Sequence, residues 1–172
     1  MKAVAKEFGL FMIDHRLSTS EATDLTGLPR FRADGFAEFA PFADLFPIVG
    51  AEIPEGYLGW LLFLDEWNAA PRTVQAACFK LILDRMVGQK HLHNNVAICA
   101  AGNLMSDKSI TNPISTAMQS RVIHLELQID FIEWLEDVAI PGNYDKRIIA
   151  YLSQNPSKLM DFNPNHSEKT FN

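Results

Sequence analysis

Four side chains in this sequence are of the types that carry phosphoryl-transfer chemistry, and each stands beside an apolar, strand-like run. In GWLLFLDEWNAAP (59–71) the run Leu61, Leu62, Phe63, Leu64 ends in two carboxylates, Asp65 and Glu66, followed by Asn68. VAICAA (96–101) ends at Gly102-Asn103, and Arg121 directly precedes VIHLEL (122–127). A site that hydrolyses a nucleoside triphosphate uses these types. One carboxylate holds Mg²⁺ through its water shell, and a second polarises the attacking water. An amide helps to position that water, and an arginine offsets the charge that develops on the phosphate. A plainer reading stands beside this one. Asp65 and Glu66 would then only favour the dipole of a helix starting near Pro71, Gly102-Asn103 would be an ordinary turn, and Arg121 would pair with a surface acid such as Glu126.

The elements that must position these groups alternate between strand and helix patterns. Residues 2–8 read as a helix stopped by Gly9, and Leu10–Ile13 as a short buried strand. From Ser18 to Pro54 the chain is rich in Gly, Pro and Phe, which predicts a long, partly apolar insertion with short helical pieces. Its aromatics, Phe31 to Phe46 above all, suit packing or an interface better than disorder. Leu61–Leu64 is a second strand. Val74, Ala77, Cys78, Leu81, Ile82 and Arg85 then follow a helical repeat from Pro71 to Gly88. Val96–Ala101 is a third strand, a short helix lies near 114–120, and 122–127 is a fourth strand. Phe131–Val138 and Tyr144–Ser153 read as amphipathic helices. Strands alternating with helices predict an α/β fold with a parallel sheet covered by helices, whose ligands collect beyond the strands' carboxyl ends.

Composition sets outer limits. A net charge of −6 argues against a broad basic surface for nucleic acid. No apolar run approaches the ~20 residues that span a bilayer. Two cysteines, Cys78 and Cys99, lie inside apolar patterns and suit buried, reduced thiols in a cytoplasmic protein. His91 and His93 have no zinc-like spacing and read as part of a solvated loop. Arg72 and Arg85 read as structural or subunit-contact residues.

LLFLDEWNAAPRTVQAACFKLILDRMVG resembles the Walker B strand and following helix of MoxR-type AAA+ ATPases. VAICAAGN is similar to that family's sensor 1 strand, ISTAMQSRVIHLEL to the region of its arginine finger, and DLTGLP to the segment after its second strand. The resemblance covers roughly residues 1–135. It implies that Asp65 is the Mg²⁺-associated carboxylate, Glu66 the water-activating one, Asn103 the sensor, and Arg121 a finger acting on a neighbouring subunit in a ring. ATP and Mg²⁺ are the implied cofactors.

The family's phosphate-binding motif, G-x-x-x-x-G-K-[ST], is nowhere in these residues. GLPRFRADG offers glycines and arginines without its spacing or its Lys-Ser/Thr ending. MKAVAKEFG resembles the second half of the helix after that motif, so the expectation is a core that starts past the loop and lacks the first strand. Residues 1–128 would then be a partial nucleotide-hydrolase core, 129–162 the start of a helical lid without an assignable sensor 2, and 163–172 a loose tail. With the family's strand order of 5-1-4-3-2, a gap is expected between the 96–101 and 122–127 strands. Its closure would come from sheet rearrangement, exchange between chains or a partner.

Two functions follow. One is a piece of an ATPase that remodels a protein or complex, unable to hold ATP well or turn it over alone. The other is a non-hydrolysing module that assembles with complete subunits and lends them Arg121. Self-association or complete AAA+ subunits are the expected partners.

Overall fold

The computed structural model describes residues 1–42, 44–103 and 112–161. The 163–172 tail expected from the sequence lies outside them. Two compact units divide the chain, Met1–Val122 and Ile123–Asn172.

The first unit is built on three parallel strands: β1 (Leu10–Arg16), β4 (Gly59–Asp65) and β7 (Val96–Ala100), in the order β1-β4-β7. Being central, β4 is flanked on both edges and covered on both faces, which is why it can be apolar without alternation. Trp60, Leu62 and Leu64 face a core shared with Leu17, Leu25, Val74, Cys78, Leu81, Val96 and Met118. Leu61 and Phe63 face the other way. Helix α1 (Lys2–Glu7) packs beside β1, and Gly9 turns the chain between them in the left-handed region at φ 62°. The fold is thus a mixed α/β one, a parallel sheet flanked by helices.

The insertion between β1 and β4 holds one short helix, α2 (Ala22–Thr26), and also a feature that the sequence reading lacked. Leu28–Phe31 (β2) and Ala37–Ala40 (β3) form an antiparallel hairpin. Its tip carries Phe31 and Phe36, which are strongly exposed. Glycine and proline marked this stretch as irregular, and its alternation is too short to register as strand.

Helix α3 (Arg72–Leu83) follows Pro71, its N-cap residue, and buries Val74, Gln75, Cys78 and Leu81. The helical repeat in the sequence runs as far as Arg85. Instead the chain leaves the helix at Asp84, and Arg85 takes a left-handed φ of 53°. Its guanidinium donates to the carbonyls of Val96 at 2.7 Å and His93 at 3.2 Å, so Arg85 is structural. A two-residue pair, β5 (Met86–Val87) and β6 (Lys90–His91), then turns through Gly88. His93 is not part of a solvated loop. Its ring packs edge-on against Trp60 at 5.0 Å, and its Nδ1 accepts the Asn95 N–H. Cys78 is fully buried, and burial pushes its thiol up to about 12. Cys99 is free and half-buried.

The fourth strand is absent. Residues 123–130 have no regular structure, and Ile123, Leu125 and Leu127 are 90%, 90% and 93% exposed. The alternation in VIHLEL is a genuine strand pattern, but pattern alone supplies no neighbour to pair with. Among the described residues β7 is an edge strand, so rearrangement within the chain does not close the expected gap.

In the second unit Asp130 caps α5 (Phe131–Glu133), accepting from the N–H groups of Ile132 and Glu133. The helix continues as a π-helical stretch, Trp134–Ala139, rather than the regular helix expected. Asp145 caps α6 (Lys146–Gln154). Trp134 meets Tyr144 edge-on at 5.8 Å, but among the described residues of this unit only Ala139 and Leu152 are buried apolar ones. Two such residues are too few to stabilise an independent unit. No helix among the described residues is long and apolar enough to cross a membrane.

One buried base makes the first unit sensitive to pH. His15, at the end of β1, lies 3.0 Å from Ser20 Oγ and packs its ring against Phe46. Ser20 donates its hydroxyl to the Arg16 carbonyl, so the His15 Nε2–H is the donor in their bond. Burial lowers the His15 pKa below the ordinary 6.5, partly offset by Asp24 and Asp14. On acidification the unfolded chain takes up this proton first. Stability is therefore expected to fall as pH drops from about 6.5 towards the folded-state value, and to stop falling on this account below it. Comparing melting temperatures between pH 8 and pH 5 for the protein and for His15→Gln checks this, since the variant should have the shallower slope.

Candidate functional site

Parallel pairing brings the chemistry together. β1 and β4 pair with Arg16 opposite Asp65, and β4 and β7 with Leu64 opposite Ala100. All three strands therefore end at one level, and the residues just past them share one rim of the sheet. Those residues are Ser18, Glu66 and Asn103.

Asp65 and Glu66 do not open the next helix. A 3₁₀ turn, Trp67–Ala69, and Pro71 intervene before α3, so the dipole reading of the pair fails for lack of proximity. Glu66 sits at φ 55°, ψ 37°, a left-handed conformation that costs a residue with a Cβ about 1–2 kcal/mol. Its N–H donates to Asp65 Oδ1 at 2.9 Å, which fixes one carboxylate relative to the other. Strain held at the hinge between strand and turn re-aims the Glu66 side chain away from the strand's alternation.

Three residues of this rim, Ser18, Arg16 and Asn68, have no role assigned from the sequence. Ser18 donates its hydroxyl to Glu66 Oε2. Arg16 reaches Asp65 Oδ2 and Glu66 Oε1 at 3.7 Å each. At that separation, and with 58% of the Arg16 side chain exposed, these pairs contribute little to stability. They place a positive charge between the two acids. The signal for them was the polar tail of β1: the strand continues past its apolar run through Asp14, His15 and Arg16.

Asn68 is the third. Its Oδ1 accepts the Asn103 N–H at 3.0 Å, and its Nδ2 donates to the Asn103 carbonyl at 2.5 Å. This two-point clamp holds the backbone of Asn103 against the turn that follows Glu66. Gly102 permits it, because an added Cβ there would stand 2.5 Å from Asn68 Oδ1. The Ala101 N–H bonds to Leu64 and the Trp67 N–H to Ala101, both at 2.9 Å, so the two strand ends are stapled as well. Among the described residues the exposed Asn103 side-chain amide makes no hydrogen bond. Replacing Asn68 with Ala is expected to cost about 1 kcal/mol of stability and to speed exchange of the Asn103 amide proton, read by hydrogen–deuterium exchange.

Arg121 is placed differently. It follows α4 (Thr116–Gln119), is exposed, and donates from Nη1 to the Ala117 carbonyl at 2.7 Å. Among the described residues it makes no bond or ion pair with Asp65, Glu66 or Asn103. The rim thus unites three of the four residues singled out by type.

Among the described residues no group of three or more His, Cys, Asp or Glu is placed to hold a metal ion. Asp65 fits Mg²⁺ in a more limited way. It is a single hard oxygen donor with a 29% exposed side chain, suited to a cation that keeps its waters and takes its other ligands from phosphate.

A parallel sheet flanked by helices, with acids and an amide gathered past the carboxyl ends, is consistent with a partial P-loop NTPase-like fold. No family model matches the chain, and no curated protein matches it. Among solved structures, a candidate ATPase from Cytophaga hutchinsonii aligns with a TM-score of 0.50 at 20% sequence identity, over 95% of this chain and 43% of that one. The chain therefore spans less than half of that structure's length, and the likeness is one of fold.

Proposed function

We propose that this chain carries the hydrolytic half of an ATP site of the MoxR-type AAA+ kind. The observation that supports this reading best is the convergence of Asp65, Glu66 and Asn103 on one sheet rim, with Asn103 clamped by Asn68. In this reading Asp65 holds Mg²⁺ through its water shell, and Glu66 takes the proton of the attacking water. The free Asn103 amide orients that water. Arg121 reaches a nucleotide on a neighbouring subunit, which agrees with its exposure and its separation from the acids in bonding. Mg²⁺ supplies charge compensation on the phosphates when bound. Free thiols at Cys78 and Cys99 suit a cytoplasmic setting.

ATP hydrolysis would be coupled to remodelling of a protein or complex. A second reading, a non-hydrolysing module that lends Arg121 to complete subunits, is favoured by one observation. No G-x-x-x-x-G-K-[ST] occurs in the 172 residues, so the anchor for the phosphates must come from elsewhere. Titrating Mg²⁺-ATP into the chain, and into the chain preceded by a strand and phosphate loop, separates the readings. Hydrolysis that appears only with the loop supports the first. Binding without hydrolysis in the extended chain supports the second, and tight Mg²⁺-dependent binding by the chain alone overturns both.

A further inference from the structure

Among the described residues β7 is hydrogen-bonded to a strand on one side only. The Asn95 carbonyl accepts from Trp60 and the Ala101 N–H donates to Leu64, so the odd-numbered residues of this stretch turn their backbone groups towards β4. Val96, Ile98 and Ala100 therefore turn theirs outward. Val96 is already satisfied, its N–H by the His93 carbonyl and its own carbonyl by Arg85. Ile98 and Ala100 keep two N–H and two C=O groups with no strand to meet. Both residues are half-buried and pack on the core, so this is an edge that templates a further strand.

Residues 123–130 are patterned as such a strand. Ile123, Leu125, Leu127 and Ile129 alternate without exception with His124, Glu126, Gln128 and Asp130. Ile129 is 50% exposed, so all four apolar side chains on one face of the pattern meet water. Burial across the sheet says where this pattern fits. β4 is covered on both faces. β7 turns Val96, Ile98 and Ala100 to the core but leaves Ala97 exposed on the other face. A strand with one wholly apolar and one wholly polar face belongs one place further out, beside β7.

We infer that the β7 edge is filled by residues 123–129 of a second copy of this chain, exchanged reciprocally in a two-fold dimer. Within one copy the edge and the segment are both unpaired. Each copy carries both halves, so a two-fold exchange satisfies both in both chains and leaves no open edge to propagate. Val122 packs on the core, so the segment leaves each copy from a fixed point. Burying four apolar side chains from each chain, with the surfaces they cover, falls in the range of roughly 1,200–2,000 Å² of stable interfaces. Ordering two free segments offsets much of that gain, which puts the midpoint of dimerisation on the order of 10 µM. In more dilute solution residues 123–129 are uncovered. The dimer does not depend on the ATP reading, since mass in solution reports one and turnover the other.

Sedimentation of the 172-residue chain between about 1 and 200 µM, with hydrogen exchange at both ends of that range, tests the exchange. A monomer–dimer transition is expected, and protection of Ile98, Ala100 and residues 123–129 should appear together with the dimer. Leu125→Lys should raise the midpoint at least tenfold. Leu125 is 90% exposed, so the melting temperature of the dilute variant should match that of the parent. Glu126→Gln, on the polar face of the segment, should leave the midpoint unchanged. A monomer at every concentration overturns the inference, and so does a dimer that survives Leu125→Lys or leaves the Ile98 and Ala100 amides unprotected. Assemblies that grow without limit would overturn the reciprocal closure.

Discussion

Replacing Glu66 with Gln is expected to lower ATP turnover by about 10²–10⁴-fold in the chain joined to a phosphate-binding loop, the range that loss of a general base costs. The substitution keeps size and hydrogen-bonding reach, so the Ser18 hydroxyl retains an acceptor and the left-handed backbone at Glu66 is undisturbed. What disappears is the capacity to take a proton from water. In the chain alone the same substitution should change nothing, because turnover is expected to be at background without an anchor for the phosphates. Steady-state phosphate release measures both. Turnover that survives Glu66→Gln in the loop-bearing form would remove Glu66 from the chemistry, and Glu66-dependent turnover by the 172 residues alone would mean that another segment holds the nucleotide. Nucleotide affinity gives the complementary readout. Glu66→Gln should leave it unchanged or raise it, since a carboxylate near the phosphates is lost.

The largest expected loss of stability comes from Leu62→Ala, at about 3–5 kcal/mol. Leu62 is fully buried in the central strand, in contact with a core that includes Val74, Cys78 and Leu81 on α3. β4 is hydrogen-bonded on both edges and cannot move in to fill the space. A domain with ordinary net stability of about 5–15 kcal/mol would keep only part of it. Urea denaturation followed by tryptophan fluorescence measures the change. Ile123→Ala is the matched control. At 90% exposure it should shift stability by less than about 0.5 kcal/mol. A loss above 1 kcal/mol there would mean that residues 122–127 are covered in solution, by a second chain or by a partner strand.

The local features of this protein were legible in the sequence because each is written in nearest-neighbour chemistry. Continuous apolar runs at 61–64 and 96–101 marked strands, the first of them buried, Gly9 marked the end of α1, and Pro71 marked the start of α3. The acids at 65 and 66 and the amide at 103 declared themselves by following those runs. Their assembly into one rim was foreseeable only in outline, from the rule that parallel strands gather ligands beyond their carboxyl ends.

Tertiary structure decided the rest, and the reasons are specific. Asn68 looks like any turn asparagine until β4 and β7 pair in register and bring Asn103, 35 positions later, within reach of its amide. Arg16 and Ser18 join the acids only because β1 runs on past its apolar stretch to lie opposite Asp65. VIHLEL has a strand's alternation but no strand beside it, and a strand is a property of a pair. Arg85 fits a helical repeat, yet the carbonyls of His93 and Val96 hold its guanidinium and the backbone leaves the helix just before it. By itself the sequence determined which residue types stand at the ends of the apolar runs and that the run at 61–64 is buried. The pairing of strands, which is set by non-local contacts and is invisible to local pattern, decided which of those residues meet.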